Sequence, residues 1–165
     1  MKRIAITAAL AAAISASAQP SRAVAVPETL KPGANEVLAL VLAARGVQIY
    51  ECRDHKWAFV APEADLFDVS GRRVGRHYAG PHWEAADGSR IAASVKSRVD
   101  APDAGAIPWL LLSAKSVGPE GSFSRVTSIQ RVSTAGGVAP AGACVTSGET
   151  ARAAYTADYY FFAPR

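Results

Sequence analysis

The sequence lacks the segments that mark several large classes of enzymes. Its 165 residues contain no G-x-G-x-x-G and no G-x-x-x-x-G-K, so the usual loops that hold nucleotide phosphates are absent. They also contain no G-x-S-x-G, no S-x-x-K and no H-E-x-x-H, which removes the common signatures of serine hydrolases and zinc proteases. We therefore expect no nucleotide cofactor, and no cofactor of another kind is indicated.

Charge of one sign is also scarce. The chain has 18 Lys and Arg against 14 Asp and Glu, and two of the basic residues, Lys2 and Arg3, lie in a predicted leader. The remaining excess is too small to indicate a nucleic-acid partner.

Cysteine is nearly absent, with only Cys52 and Cys144. Two cysteines this far apart lack the paired spacing of zinc sites, so no metal site is expected. In an exported chain an even number of cysteines favours pairing, which predicts a Cys52–Cys144 disulfide. The alternative is two buried free thiols.

The N-terminus resembles a secretion signal. A charged start at Lys2 and Arg3 leads into an apolar, Ala-rich run that ends in Ala16-Ser17-Ala18. This pattern predicts a signal peptide over residues 1–18, removed after Ala18, and export by the general secretory route to the periplasm or the medium. No membrane span is expected after cleavage, and the alternative is an uncleaved N-terminal anchor. Residues 19–35, with three prolines, predict an extended lead-in.

Residues 36–165 show no convincing helical period. Over residues 90–100, small and apolar side chains alternate with mostly polar ones, which is typical of a half-buried strand. Val126, Ile129 and Val132 are three apart, which favours a bulge there. Similar short runs, separated by turn residues, predict one all-β domain, an antiparallel sandwich or barrel of about nine strands with at most one short helix. The predicted strands are 36–43, 47–53, 57–61, 65–69, 73–79, 90–100, 109–117, 124–132 and 155–163.

The segment RHYAGPHWEAADGS, residues 76–89, contains the densest chemistry. Two imidazoles near carboxylates can bind a metal or transfer protons, which makes His77, Glu84 and Asp87 weak catalytic candidates. Tyr78, His82 and Trp83 are the candidate ligand-binding residues. The competing interpretation is a structural corner at Gly80-Pro81, where Tyr78 and Trp83 pack together.

Five segments together resemble a known family. They are GVQIYEC, GRHYAGPHWEAADGS, IPWLLLSAK, VTSIQRVSTAGG and YTADYYFF. In this order they are similar to secreted bacterial and fungal proteins grouped as domain of unknown function family 3455, from about Val26 to Phe162. The resemblance implies an exported, mostly β single domain with no established activity, often with cysteines at these two positions. Members more often carry a small hydroxyl residue at the position of His82, which weakens a role for His82 as a ligand.

These observations favour an exported, non-catalytic β module that binds a small molecule, a glycan or an envelope component. The first alternative is a hydrolase or metal-dependent enzyme centred on His77, Glu84 and Asp87. The second is a structural or stress-related envelope protein. The sequence indicates no oligomeric state.

Overall fold

The computed structural model describes residues 24–165 of the chain. The predicted signal peptide and the first residues of the lead-in lie outside the described residues. In the described part, eight antiparallel strands form one sheet that closes into a barrel in the order β1 to β8. The strands are β1 Glu36–Arg53, β2 Lys56–Phe67, β3 Arg73–Tyr78, β4 His82–Ala85, β5 Arg90–Val99, β6 Trp109–Ser116, β7 Ser128–Gly136 and β8 Thr150–Pro164.

The all-β prediction is confirmed, and the strand count differs from the expected nine for a local reason. Residues 36–53 form one continuous strand where two were predicted, and residues 56–67 do the same. Gly46 makes the first of these possible, because a side chain there would collide with the backbone of Glu63 and Ala64. The added strand is β4, a four-residue strand that follows the Gly80-Pro81 turn.

A short 3-10 helix, Glu28–Leu30, packs on the outside of the barrel against β5 and β6. Leu30 is fully buried there, and its carbonyl accepts a hydrogen bond from the Gln130 side chain. No helix of residues 24–165 is long and apolar enough to cross a bilayer.

The loops at one end of the barrel, 68–72, 86–89 and 117–127, define the plugged end. Phe123 turns into the barrel from the longest of them and is fully buried. Its ring stacks on Phe161 with 4.9 Å between centroids. We call loop 117–127, with Phe123 at its buried centre, the plug. It closes this end with apolar side chains. Residues 124–126, predicted to begin a strand, belong to this loop, and the register shift in β7 lies later, between Val132 and Ala135.

The opposite end, called the disulfide end, carries turns 54–55 and 79–81 and loops 100–108 and 137–149. The predicted disulfide is confirmed: Cys52 and Cys144 are bonded, with their Cα atoms 5.7 Å apart. The bond ties the end of β1 to the loop between β7 and β8. Backbone hydrogen bonds support it, from Cys52 to Glu149 and from Cys144 to His55.

Candidate functional site

The wall of the barrel has a notch, because β3 and β4 are much shorter than their neighbours. The register of β2 with β3 covers only Ala64 to Phe67, and that of β4 with β5 covers only Arg90 to Ala92. Residues 56–63 of β2 and 93–99 of β5 therefore extend beyond the β3–β4 hairpin. The turn at 79–81, at the tip of the β3–β4 hairpin, borders this opening.

The rim of the notch is apolar and partly exposed. A register shift in β2 leaves Val60 as an extra residue between the pairs Ile49–Ala61 and Tyr50–Phe59. Phe59, Val60 and, across the notch, Val95 are 53%, 43% and 58% exposed. A bulge that directs side chains toward an opening is common beside functional sites.

Behind the rim lies a cavity of about 180 Å³ inside the barrel. Its walls are mostly apolar and aromatic, and a few polar groups converge on it, which is the usual composition of a small-molecule site. The lining residues are Gln48, Phe59, Val60, Pro62, His77, Gly80, Pro81, Trp83, Val95, Leu110, Leu112, Arg131 and Tyr159.

Three buried rings form an aromatic cluster in this lining. His77 and Trp83 are stacked, with ring centroids 3.9 Å apart and planes 13° from parallel. Tyr159 meets both rings edge to face at 5.5 Å. Each ring belongs to a different strand, β3, β4 or β8, so the cluster is fixed by the barrel itself and presents a preformed aromatic surface.

Several buried polar atoms of the interior make no hydrogen bond of good geometry within the protein. They are Gln48 Nε2, Trp83 Nε1, Tyr155 Oη and Tyr159 Oη, and all four side chains are buried. A fifth such atom is Trp109 Nε1, and neither Trp109 nor Tyr155 lines the cavity. Leaving a buried polar group unpaired typically costs about 1–3 kcal/mol, so a cluster of them is a destabilising feature that requires an explanation.

Arg131 adds a positive charge to this interior. It lies on β7 between Leu110 of β6 and Tyr159 of β8 in the register. Burial raises the pKa of Tyr155 and of Tyr159, and the nearby Arg131 charge opposes that rise, as do the contacts of Tyr155 with Gln48 and of Tyr159 with Arg131. The same charge acts on Tyr50, whose pKa burial also raises. The guanidinium is therefore close to several interior hydroxyls.

His77 is held neutral in the cavity lining. Burial lowers its pKa to about 3, and the Arg131 charge acts in the same direction. Its Nδ1 lies 2.8 Å from the carbonyl oxygen of His82 and donates a proton to it, because a carbonyl only accepts. Nε2 is then the unprotonated nitrogen, and His77 contributes an acceptor to the interior.

The structure separates the six candidate residues of segment 76–89. The predicted corner is present, since β3 ends at Tyr78 and β4 begins at His82. The predicted packing of Tyr78 on Trp83 is wrong, because the two side chains point to opposite faces of the barrel wall. Tyr78 instead stacks on His82 outside, at 5.5 Å, while Trp83 stacks on His77 inside.

Glu84 lies on the outer face with Tyr78. It accepts hydrogen bonds from the Tyr78 hydroxyl and from Arg76, at 2.7 and 2.9 Å. These two bonds lower the pKa of Glu84. His77 is inside the barrel, so the structure does not bring His77 and Glu84 together into one site.

Asp87 lies at the plugged end, and its carboxylate is fully occupied. One oxygen accepts from the backbone and hydroxyl of Ser89, and the other from the backbone and hydroxyl of Ser122, all within 2.9 Å. Ser89 in turn accepts from the Phe123 amide at 3.1 Å. The bonds to Ser122 and Ser89 hold the pKa of Asp87 far below its usual range. Asp87 therefore anchors the plug loop.

Two other depressions have their charges paired. One, of about 640 Å³, lies at the plugged end, where Asp68 bonds Arg72 and Asp87 bonds Ser122. The other, of about 360 Å³, lies on the outside of β1 to β3 and contains four arginines. Of these, Arg73, Arg76 and Arg152 pair with carboxylates and Arg45 lies over the Phe67 ring. In residues 24–165, no three His, Cys, Asp or Glu side chains are grouped as metal ligands would be.

Sequence reasoning did not select three of the residues that define the cavity, Gln48, Arg131 and Tyr159. The available signal was weak: Arg131 and Ile129 share the inner face of a strand, where an arginine is unusual. The cavity depends on two features of the barrel wall that the sequence pattern does not indicate, the short β3–β4 hairpin and the bulge at Val60.

Comparison with known proteins gave one match. A family model described as "Protein of unknown function (DUF3455)" matches residues 32–163. No curated protein and no solved structure matches the chain significantly. The match covers most of the chain, including all of the cavity lining.

Proposed function

The chain belongs to the DUF3455 family, and on the geometry of its interior we propose that it is an exported, non-catalytic barrel that binds a small, mostly apolar molecule behind the notch. The single observation that carries this proposal is an open apolar cavity lined by Gln48, Trp83 and Tyr159, whose buried polar atoms make no hydrogen bond of good geometry within the protein. A closed, fully packed core rarely leaves buried polar atoms without hydrogen bonds. A ligand that enters through the notch supplies the missing hydrogen bonds.

Export is part of the proposal. The N-terminal pattern of residues 1–18 and the Cys52–Cys144 bond both favour a periplasmic or secreted protein, because disulfides persist in oxidising compartments. Mass spectrometry of the protein from its native cells should find Gln19 as the first residue. An intact Met1 in the envelope fraction would contradict the cleaved leader.

The cavity favours a small molecule over a glycan. A volume of about 180 Å³ is slightly larger than an engineered cavity of about 150 Å³ that accommodates benzene. One aromatic or aliphatic ring with a polar substituent fills such a space. The aromatic surface formed by His77, Trp83 and Tyr159 is inside the barrel, where an extended sugar chain does not reach.

An enzymatic role receives less support from the geometry. His77, Glu84 and Asp87 lie inside the barrel, on its outer face and at the plugged end, so they do not converge on one substrate. The carboxylates of Glu84 and Asp87 are already engaged by hydrogen bonds. General acid–base catalysis needs its groups within hydrogen-bond reach of the same substrate.

Benzyl alcohol is a suitable first probe, because it combines one ring with one polar group. Calorimetric titration should show binding to the wild-type protein, and Val95→Trp should abolish it by filling the mouth of the notch. Val69→Trp is the matched control, since Val69 is 98% exposed at the plugged end and should leave binding unchanged. Equal binding in both variants, or no binding to the wild type, contradicts the proposal.

A further inference from the structure

Resting on that proposed function, we infer that the natural ligand is a small carboxylic acid, whose carboxylate is bound by Arg131 and whose apolar part faces the notch. The inference concerns the chemical class of the ligand. It follows from the bonding of Arg131, from the kind of unpaired atoms around it, and from the distribution of apolar and polar residues along the cavity.

Arg131 has donors to spare. Its Nε and Nη2 both donate to the carbonyl oxygen of Pro108, at 3.2 and 2.8 Å. A guanidinium has five N–H donors, so three remain after these two bonds, and the Tyr159 hydroxyl is the other group close enough to accept from one of them. Within the described part of the chain, the salt bridges all involve other basic residues. A partly buried arginine without a carboxylate is an uncommon arrangement, because burying an unpaired charge is costly.

The bond to Pro108 also fixes the orientation of the guanidinium. Its planar fork matches a carboxylate in a bidentate manner once one edge is held. Pro108, in the loop before β6, holds the Nε and Nη2 edge of the guanidinium at the wall, and the group is also close to the interior hydroxyl of Tyr159. The arginine is thus positioned before any ligand binds, which lowers the entropic cost of binding.

The cavity lining offers mostly donors to a ligand, together with the single acceptor Nε2 of His77. Trp83 Nε1 donates only, Gln48 Nε2 donates, and the Tyr159 hydroxyl either donates or accepts. An ionised carboxylate only accepts hydrogen bonds, so it complements this set. An ammonium group would meet the positive charge of Arg131 and too few acceptors. A neutral alcohol has a single oxygen and satisfies fewer of these donors.

Apolar residues line the cavity from its rim to Arg131, whose register partner on β6 is Leu110. Phe59, Val60 and Val95 form the rim, and Leu110 and Leu112 continue from the rim inward along β6. A ligand with a polar head at Arg131 would place its apolar body between these residues and the aromatic cluster. The cavity volume limits that body to about the size of one ring.

The test compares benzoate with benzamide and benzyl alcohol, three probes with the same ring and different head groups. Calorimetric titration of the wild-type protein should give at least tenfold tighter binding for benzoate than for benzamide. Arg131→Met should remove that preference while benzyl alcohol still binds. Arg125→Met is the matched control, since Arg125 also donates to a proline carbonyl but is exposed at the plugged end, and it should retain the preference.

Arg131→Lys covers the case in which the methionine variant does not fold. It keeps the charge but loses the fork, so part of the preference for benzoate should remain. If benzamide binds the wild type as tightly as benzoate, the carboxylate inference fails and the proposed function stands. If none of the three probes binds, the proposed function itself fails.

Discussion

The plugged end of the barrel and the cavity behind the notch differ in how their polar groups are satisfied. At the plugged end, the four serine contacts of Asp87 hold the loop that inserts Phe123, and the neighbouring charges are paired. In the cavity behind the notch, Gln48, Trp83 and Tyr159 carry unpaired atoms next to an arginine without a carboxylate. The barrel thus contains one region whose polar groups are satisfied and stabilise the fold, and another region whose unsatisfied polar groups destabilise it.

This contrast assigns a role to each region. Natural proteins satisfy nearly all buried polar groups, and the exceptions concentrate where another molecule completes the bonding. The plug seals the core, and the notch gives access to it. Substitutions at the plugged end should therefore lower stability strongly, whereas those around the notch should lower it little or, where an unsatisfied polar group is removed, raise it.

The largest effect should come from the disulfide end. Replacing both Cys52 and Cys144 by alanine removes a link between residues 92 positions apart, which corresponds to about 4–5 kcal/mol of unfolding free energy in the chain-entropy model. Urea unfolding of the double variant measures the loss. Wild-type protein treated with a reducing agent should lose a similar amount. An unchanged urea midpoint would mean that the loop is held by its other contacts.

The second prediction compares two phenylalanines at opposite ends. Phe123→Ala should lower the free energy of unfolding by about 3–5 kcal/mol, because the ring is fully buried and a cavity remains after its removal. Phe59→Ala should cost less than about 1 kcal/mol, since half of that ring is exposed at the notch. Thermal and urea unfolding of both variants decide the matter. Equal losses would contradict the distinction between plug and rim.

The third prediction concerns the anchor of the plug. Asp87→Asn should lower the melting temperature, because an amide nitrogen cannot accept the hydrogen bonds of Ser89 or Ser122. Asp103→Asn is the control, since one Asp103 oxygen accepts a single loop amide, that of Gly105. A melting temperature equal to that of the wild type would show that the plug holds without Asp87.

The fold and the disulfide could be predicted from the sequence for physical reasons. Alternation over residues 90–99 predicted the strand β5, although its inner face is buried only at Ile91 and Ala93 and Val95 is exposed at the notch. Two cysteines allow only one pairing. The turn at Gly80-Pro81 was also predictable, because proline cannot donate within a sheet. These features depend on local chemistry alone.

The cavity could not be predicted from the sequence in the same way. Trp83 was predicted as a ligand-binding residue and lines the cavity, but Tyr78 and His82, predicted with it, lie on the outer face. Whether a side chain in an eight-strand barrel points inward depends on the register, and bulges such as the one at Val60 shift that register. Hydrogen-bond satisfaction of Gln48 or Tyr159 is decided by partners on distant strands.

The fourth prediction concerns how the free energy of unfolding depends on pH through His77 in the cavity lining. The folded pKa of His77, about 3, is below its unfolded value of about 6.5, so the unfolded chain binds more protons between these values. Stability should be complete above pH 6.5 and fall as the pH drops, by up to about 1.4 kcal/mol per pH unit. His77→Phe should flatten this slope between pH 4.5 and 6.5, measured by urea unfolding. An equally steep slope in the variant would contradict the assignment.

The smallest effect should come from Tyr159→Phe, and its direction is informative. The hydroxyl is buried without a hydrogen bond of good geometry, so its removal should leave the free energy of unfolding unchanged or raise it by up to about 1 kcal/mol. Tyr50→Phe is the contrast, because the Tyr50 hydroxyl donates to the Gly137 carbonyl at 2.7 Å and should cost about 1 kcal/mol. A loss in Tyr159→Phe as large as in Tyr50→Phe would mean that the interior hydroxyl is satisfied after all.

The most direct test of the central claim is a crystal structure of the protein with saturating benzoate. The predicted result is one benzoate in the cavity, with its carboxylate within hydrogen-bond distance of Arg131 and its ring against Trp83 and Tyr159. The competing anion site is the outer depression lined by Arg45, Arg73, Arg76 and Arg152. Benzoate bound there while the cavity holds none would contradict the account.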